Sequence, residues 1–193
     1  WVRYPSAQGN IDCVVLYDSS SSYGVEIITM NSVKSLTLGT YNSTTITSTN
    51  KSHYNDLIQV LNNEASKYNN STYSERARSV GTIPNNPTSD SPGYFSSSYS
   101  YMSPYNGQFK NADTHYTTDW NQMGTLGIQN IGTSYWLASR EVTSHSVSSV
   151  FSARSVRSDG TLWDEAIILT YVDGIPFSET ATCGIRPIFK LKS

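Results

Sequence analysis

Two stiff apolar stretches bracket a long polar one near the end of this chain. That arrangement restricts its fold more than any other feature. The first stretch is Ser134-Tyr135-Trp136-Leu137-Ala138-Ser139-Arg140 and the second is Gly184-Ile185-Arg186-Pro187-Ile188-Phe189-Lys190-Leu191. Trp136, Leu137, Ile185, Ile188, Phe189 and Leu191 are bulky and stand near turn formers, so both stretches read as buried strands. The segment between them, Glu141 to Cys183, is rich in Ser, Thr, Asp, Val and Gly, with scattered aromatics. Tyr and Trp offer contact area while Ser and Gly offer adaptability, which is the composition of a recognition surface. A Ser-rich sheet edge with an irregular loop would have the same composition and bind nothing.

The bracketing stretches, with Phe151-Ser152-Ala153-Arg154-Ser155-Val156 between them, resemble the C-terminal region of variable proteins diversified by retroelements. In that family a Tyr-Trp-Leu-Ala-Ser-Arg motif precedes hypervariable residues, and a Gly-Phe-Arg-Pro motif follows them. Here the second motif is Gly184-Ile185-Arg186-Pro187, with Ile in place of Phe. The resemblance covers about the last third of the chain well and the rest weakly. It implies a C-type lectin fold of the formylglycine-generating-enzyme type, with Trp136, Arg140, Arg154, Gly184 and Arg186 as scaffold. It also implies that 141–183 is a variable ligand-binding segment. The ligand would be a protein or glycan on another cell or on a phage or host surface. The protein would then work outside the cell, at a bacterial surface with a pilin link, or on a phage virion.

Length allows one domain spanning 1–193, large enough to bury a core. Charged residues make up 15% and the net charge is −2, which leaves no electrostatic footprint for nucleic acid or an anionic membrane. No apolar run reaches transmembrane length. The chain opens on Trp1-Val2-Arg3 without Met, as if partway into a strand. Cys13 and Cys183 are the only cysteines. A buried free Cys13, flanked by Ile11, Val14 and Val15, is favoured over a bridge.

Along the chain, the run from Asp12 to Tyr17 reads as a central strand. Asp18 to Ser22 is a turn, and Gly24 to Met30 a returning strand. Val33 to Leu38 gives a further short apolar stretch. Residues 52–68 carry Tyr54, Leu57, Ile58, Leu61, Ala65 and Tyr68 at helical spacing, which predicts one main helix with Ser52 as its N-cap. A short second helix is expected over Thr72 to Val80, with Glu75 and Arg78 three residues apart. Residues 82–107 form an irregular insertion marked by Pro84, Pro87, Pro92 and Pro104. Thr118 to Leu126 has the spacing of another short helix. Strands, a helix, irregular chain and strands again make an α+β fold with mixed or antiparallel sheets and long irregular loops.

Enzymatic signatures are missing. His53, His115 and His145 lack metal-ligand spacing, and no nucleophile elbow, phosphate loop or Cys-x-x-Cys occurs. The sequence therefore implies no cofactor, no metal and no catalysis. Within the lectin-type fold, a formylglycine-generating enzyme would want paired cysteines near the C-terminal region, where only Cys183 stands. A calcium lectin would want Glu-Pro-Asn and Trp-Asn-Asp segments, which are absent; Leu162-Trp163-Asp164-Glu165 is only a superficial match. A structural pilus or tail subunit is the third alternative.

Three expectations follow. The strands near Cys13–Tyr17 and Ile185–Leu191 should share a sheet. Arg154 and Arg186 should be buried and hydrogen-bonded, since each stands in an apolar strand context. Finally, turns at Ser158-Asp159-Gly160 and Asp173-Gly174 should fold the insert into adjacent strands. That folding should gather Thr143, His145, Ser146, Ser148, Trp163, Asp164, Tyr171, Asp173, Ile175, Phe177 and Thr180 on one exposed face. Trp163, Tyr171 and Phe177 are the natural anchors of such a face. Glu141, Asp159, Asp164, Glu165, Asp173 and Glu179 face only Arg154 and Arg157 in this segment, suggesting an acidic surface that steers toward a basic partner.

Overall fold

The computed structural model describes residues 1–39, 48–82, 84, 114–144, 148–172, 175–178 and 180–193. The first four strands are β1 (Val2–Ser6), β2 (Gly9–Tyr17), β3 (Glu26–Thr29) and β4 (Lys34–Leu38). Helices α1 (Ser48–Asn55) and α2 (Leu57–Ser66) follow, then β5 (Ser74–Ser79) and α3 (Tyr116–Thr125). The chain ends in β6 (Tyr135–Ser144), β7 (Ser148–Val156), β8 (Leu162–Val172), β9 (Ile175–Ser178), β10 (Ala181–Ile185) and β11 (Pro187–Leu191). The fold is α+β, with mostly antiparallel pairing.

Two sheets carry these strands. The five-stranded sheet has the order β1-β2-β3-β11-β5, and the six-stranded sheet the order β4-β10-β6-β7-β8-β9. As expected, β2 and β11 share a sheet, with β3 between them. Strand β1 lies three strand spacings from β11, about 14 Å at ~4.8 Å per strand.

Alternation along the bracketing strands divides the core. Successive residues of a strand point to opposite faces. Trp136 accordingly packs with Leu38, Leu57, Ile58, Leu61 and Ile185 in the layer beneath α2. Its neighbour Leu137 joins Leu16, Ile28, Val80, Met123, Val156 and Ile188 in a second cluster. Phe189 enters a third, with Tyr4, Cys13, Ile27 and Ala77, and stacks on Tyr4 at 4.1 Å between ring centroids. Three clusters are thus stitched together by two short stretches of chain.

Two expectations about helices are corrected. The main helix does not run from 52 to 68 as one piece. Its first part, α1, begins at Ser48, so Ser52 is an interior residue, and the chain bends at Asp56 (φ −98°, ψ 12°) before α2. Backbone bonds from Asp56 N to Ser52 O and from Val60 N to Asp56 O carry the chain through the bend. The apolar stripe itself holds: Tyr54, Leu57, Ile58, Leu61 and Ala65 are all buried. Tyr68 lies beyond α2, where its carbonyl accepts Ala7 N–H and ties down the turn after β1.

The expected second helix over Thr72 to Val80 is instead strand β5, paired antiparallel with β11. Its charges find partners on other elements, across the sheet and on α3, and not along a helix of their own. Glu75 pairs with Lys190 at 2.9 Å, and Arg78 pairs with Glu26 and Asp119. Ala77 lies opposite Phe189, so the burial of that ring draws the segment into the sheet. The helix expected near Thr118 to Leu126 is present as α3, burying Asp119 and Met123. The 82–107 insertion lies almost wholly outside the described residues.

Candidate functional site

The two bracketing stretches meet. Gly184 of β10 pairs in parallel with Tyr135 of β6, and Gly184 N–H donates to Ser134 O at 2.8 Å. The strands on either side of 141–183 are thus joined to each other at Tyr135 and Gly184, and the segment itself begins further along β6, at Glu141. Residue 184 must be small because Ser32 presses on it. A Cβ there would fall well inside van der Waals contact of both Ser32 Oγ and Ser32 Cβ. Gly184→Ala should therefore cost about 1–3 kcal/mol, the usual range for overpacking. Adding Ser32→Gly should restore most of that loss in a urea titration. An alanine accepted without loss would mean that the close approach is not made.

Arg186 stands at the crossing between the sheets, one residue after β10 and one before β11. It is fully buried. Its Nε and Nη2 donate to Thr29 O at 3.1 and 2.9 Å, and its Nη1 to Ile128 O at 2.9 Å. The guanidinium lies 4.8 Å from the Tyr135 ring centroid. Burial lowers its pKa from the ordinary arginine value, and it pushes the Tyr135 phenol up to about 12. Arg186 thereby holds the end of β3, the loop after α3 and β6 together.

Arg154 clasps the base of the enclosed segment. Its Nη1 donates to Ser139 Oγ and Arg140 O, each at 2.7 Å, and its Nε to Asp164 Oδ1 at 2.7 Å. Its Nη2 pairs with Glu141. Strands β6, β7 and β8 are joined through this one side chain. Arg140 is buried too and donates from Nη1 to Asn55 O at 2.7 Å, which fixes β6 to the end of α1. Both buried-arginine expectations are met.

Above this base, β6 to β9 form an antiparallel ladder of consecutive strands. The turn after β7 is closed by Arg157 N–H to Thr161 O, with Gly160 at φ +86°. The side chain of Asp159 caps it, accepting from Thr161 N and Oγ1 at 2.9 and 2.6 Å. At the opposite end, Val172 pairs with Ile175, as a tight β8–β9 hairpin requires.

The sequence-derived binding residues do not all fall together. The backbone of Thr143, Ser148, Tyr171, Ile175 and Phe177 lies at one end of the ladder. There Thr143 pairs with Val150, Ser148 with Val172, Tyr171 with Pro176, and Thr170 with Phe177. Trp163 and Asp164 lie near the other end of β8, about 25 Å from Tyr171 at ~3.3 Å per residue. Trp163 is half-buried against the cluster beneath α2, with Arg157 5.0 Å from its ring centroid. Asp164 is bound to Arg154, although its side chain stays 53% exposed. Thr180 is exposed just before β10. His145, Ser146 and Asp173 lie outside the described residues.

The acidic surface is corrected in part. Glu141 and Asp164 are engaged by Arg154, and Asp159 is engaged in its own turn, so these carboxylates do not form a free steering field. Cys183 is a buried free thiol whose pKa is raised by burial, and Cys13 is likewise free, with burial and the nearby Asp12 lifting it to about 12. A thiol held protonated is a weak nucleophile. Among the described residues no cluster of His, Cys, Asp and Glu is placed to hold a metal, and no helix is long and apolar enough to cross a membrane.

Sequence reasoning missed a buried charge cluster. Arg78, Glu26 and Asp119 are all fully buried. Arg78 Nη2 donates to Glu26 Oε2 at 2.5 Å and Nη1 to Asp119 Oδ2 at 2.6 Å. Tyr17 Oη and Gly81 N–H also donate to Asp119, at 3.0 and 2.9 Å. The available signal was Glu26, a carboxylate set between Val25 and Ile27 in an apolar strand, which must find a buried cation. No known protein family, curated protein or solved structure matches the chain.

Proposed function

We propose that this chain is a variable ligand-binding protein of the retroelement-diversified kind, a receptor or adhesin with a tunable face on a rigid C-type lectin-like frame. The observation that carries the reading is the closed frame. Segment 141–183 runs between β6 and β10, which pair with each other at Tyr135 and Gly184, and Arg154 of β7 ties it to β6 and β8 while Arg186 fixes the crossing just after it. A segment anchored this way can change its outer side chains while the hydrogen bonds that hold it stay in place. Its strands β6 to β9 stand side by side, so residues far apart in sequence become neighbours. The end of the ladder with Thr143, Ser148, Tyr171, Ile175 and Phe177 is the better binding face. Trp163 serves the frame, since its ring packs on the core and under Arg157. Recognition without chemistry is the mechanism: aromatic anchors supply affinity and small polar neighbours tune the fit. The ligand class is a protein or glycan on another cell, phage or host surface.

The test is a variant with Thr143, Tyr171, Ile175 and Phe177 replaced together by Ala. Surface substitutions typically change stability by less than ~0.5 kcal/mol each, so the variant should lose under about 2 kcal/mol. It should also lose binding to a surface partner captured by the unaltered protein. Unfolding of the variant would place these side chains in the core. A folded variant that still binds would move the site elsewhere, first to residues 82–107.

A further inference from the structure

Gly39 follows the last residue of β4, and there a backbone N–H meets an imidazole. Gly39 N–H donates to His53 Nδ1 at 2.6 Å, joining the end of β4 to the last turn of α1. A ring nitrogen that accepts must be unprotonated, so His53 is neutral and carries its hydrogen on Nε2. Protonation turns both ring nitrogens into donors. Two N–H groups would then point at each other across a hydrogen-bond distance. Gly39 is buried and holds φ +79° as the chain leaves the strand, so no water stands ready to take up its N–H.

The surroundings oppose a charged ring. His53 is half-buried, and burial lowers its pKa below the ordinary value of 6.5. On β4 the charged residue is Lys34, held by Glu64 of α2, which also holds Lys67. Arg140, reaching from β6, lies over Tyr54 next to His53 at 5.9 Å from that ring and adds positive charge. Asp56, at the bend after α1, is the nearest carboxylate in sequence, and it is exposed to solvent.

We propose that His53 is an acid-sensitive latch, which when neutral holds α1 against the end of β4 and when protonated releases it. The consequence reaches the ladder. Tyr54 packs edge-on against Phe151 of β7 at 5.4 Å, and Asn55 O accepts from Arg140 of β6. Helix α1 therefore buttresses both strands from behind, and an opened latch loosens that support. The latch stands whether or not the ladder binds a ligand.

The sign of the pH dependence is fixed by a depressed folded pKa. The latch contributes its stability above about pH 6.5, the unfolded value, and loses it as pH falls through the folded value. The test is an NMR titration of the whole chain between about pH 8 and pH 5, following the His53 ring and the Gly39 amide. His53 should titrate below about 6.5. Exchange of the Gly39 amide, corrected for its intrinsic pH dependence, should accelerate by up to about tenfold per pH unit between that value and the ring's own midpoint. In His53→Asn, whose Oδ1 can accept from Gly39 without titrating, the corrected exchange should stay flat. A ring that titrates at or above about 6.5, or equal acid sensitivity in the variant, would overturn the proposal. If the variant does not fold, the unaltered chain's ring midpoint and Gly39 exchange decide alone.

Discussion

Arg186→Ala should lower the free energy of unfolding by about 3–5 kcal/mol, a shift of about 6–20 °C in melting temperature for a domain of this size. The loss has three sources. Thr29 O and Ile128 O would be left buried without their donors, at about 1–3 kcal/mol for each unsatisfied group. A cavity would open beneath Tyr135, where the guanidinium now lies. The end of β3, the loop after α3 and the crossing from β10 to β11 would also lose the side chain they share. Because Arg186 is held by carbonyls, a lysine keeps the charge without restoring the geometry. One ammonium cannot present the forked donors that reach two separate carbonyls. Arg186→Lys should accordingly recover less than half of the loss. A calorimetric scan measures both, and an unchanged melt for Arg186→Ala would remove Arg186 from the frame.

Asp119→Ala should be comparably severe, again about 3–5 kcal/mol, because it breaks a buried ion pair from one side. Asp119 accepts from Arg78 through both oxygens, from Tyr17 Oη and from Gly81 N–H. Without it, the fully buried Arg78 keeps Glu26 and the carbonyl of Thr82 but faces a void on the α3 side. The cluster joins α3 to the five-stranded sheet at a point where a buried apolar contact would also have served. Replacing the whole cluster by well-packed apolar residues should thus cost much less than removing one carboxylate. Chemical denaturation of Asp119→Ala is the measurement. A loss below about 1 kcal/mol would show that water or a neighbouring group makes up for the missing carboxylate.

The sequence announced its frame better than its charges. Cys13, Leu16 and Tyr17 in β2, Ile27 and Ile28 in β3, and Ile188 and Phe189 in β11 stand in dense apolar runs, and these side chains are buried on strands of one sheet. The stripe of α2 was legible because Leu57, Ile58, Leu61 and Ala65 recur at helical spacing. Strand β5 was not legible. Glu75 and Arg78 are spaced like a helical ion pair, yet their partners Lys190, Glu26 and Asp119 come from distant parts of the chain. Spacing reports only local partners, and a non-local cation acceptor leaves no periodic trace.

The same reason limits the site. The turn at Asp159 and Gly160 was legible from residue type, and so was the burial of Arg154 and Arg186 from their apolar settings. The partners of Arg154 were not, so Glu141 and Asp164 read as part of an acidic steering surface when they are its counter-ions. Trp163 and Tyr171 both lie on β8, but a strand of 11 residues is long enough to carry them to opposite ends of the ladder. A turn signal tells that two strands pair, not which end of the pair a residue occupies.

The central claim is that the frame stays rigid while its enclosed segment changes. Hydrogen exchange on the variant with Thr143, Tyr171, Ile175 and Phe177 all replaced by Ala tests it most directly. Amides of β10, β11 and the first half of β6, with those of β2 and β3, should exchange as slowly as in the unaltered chain, and any change should be confined to 141–183. Faster exchange spreading into Trp136, Leu137, Ile185 and Ile188 would show that the four replaced side chains hold up the core, and would contradict the account.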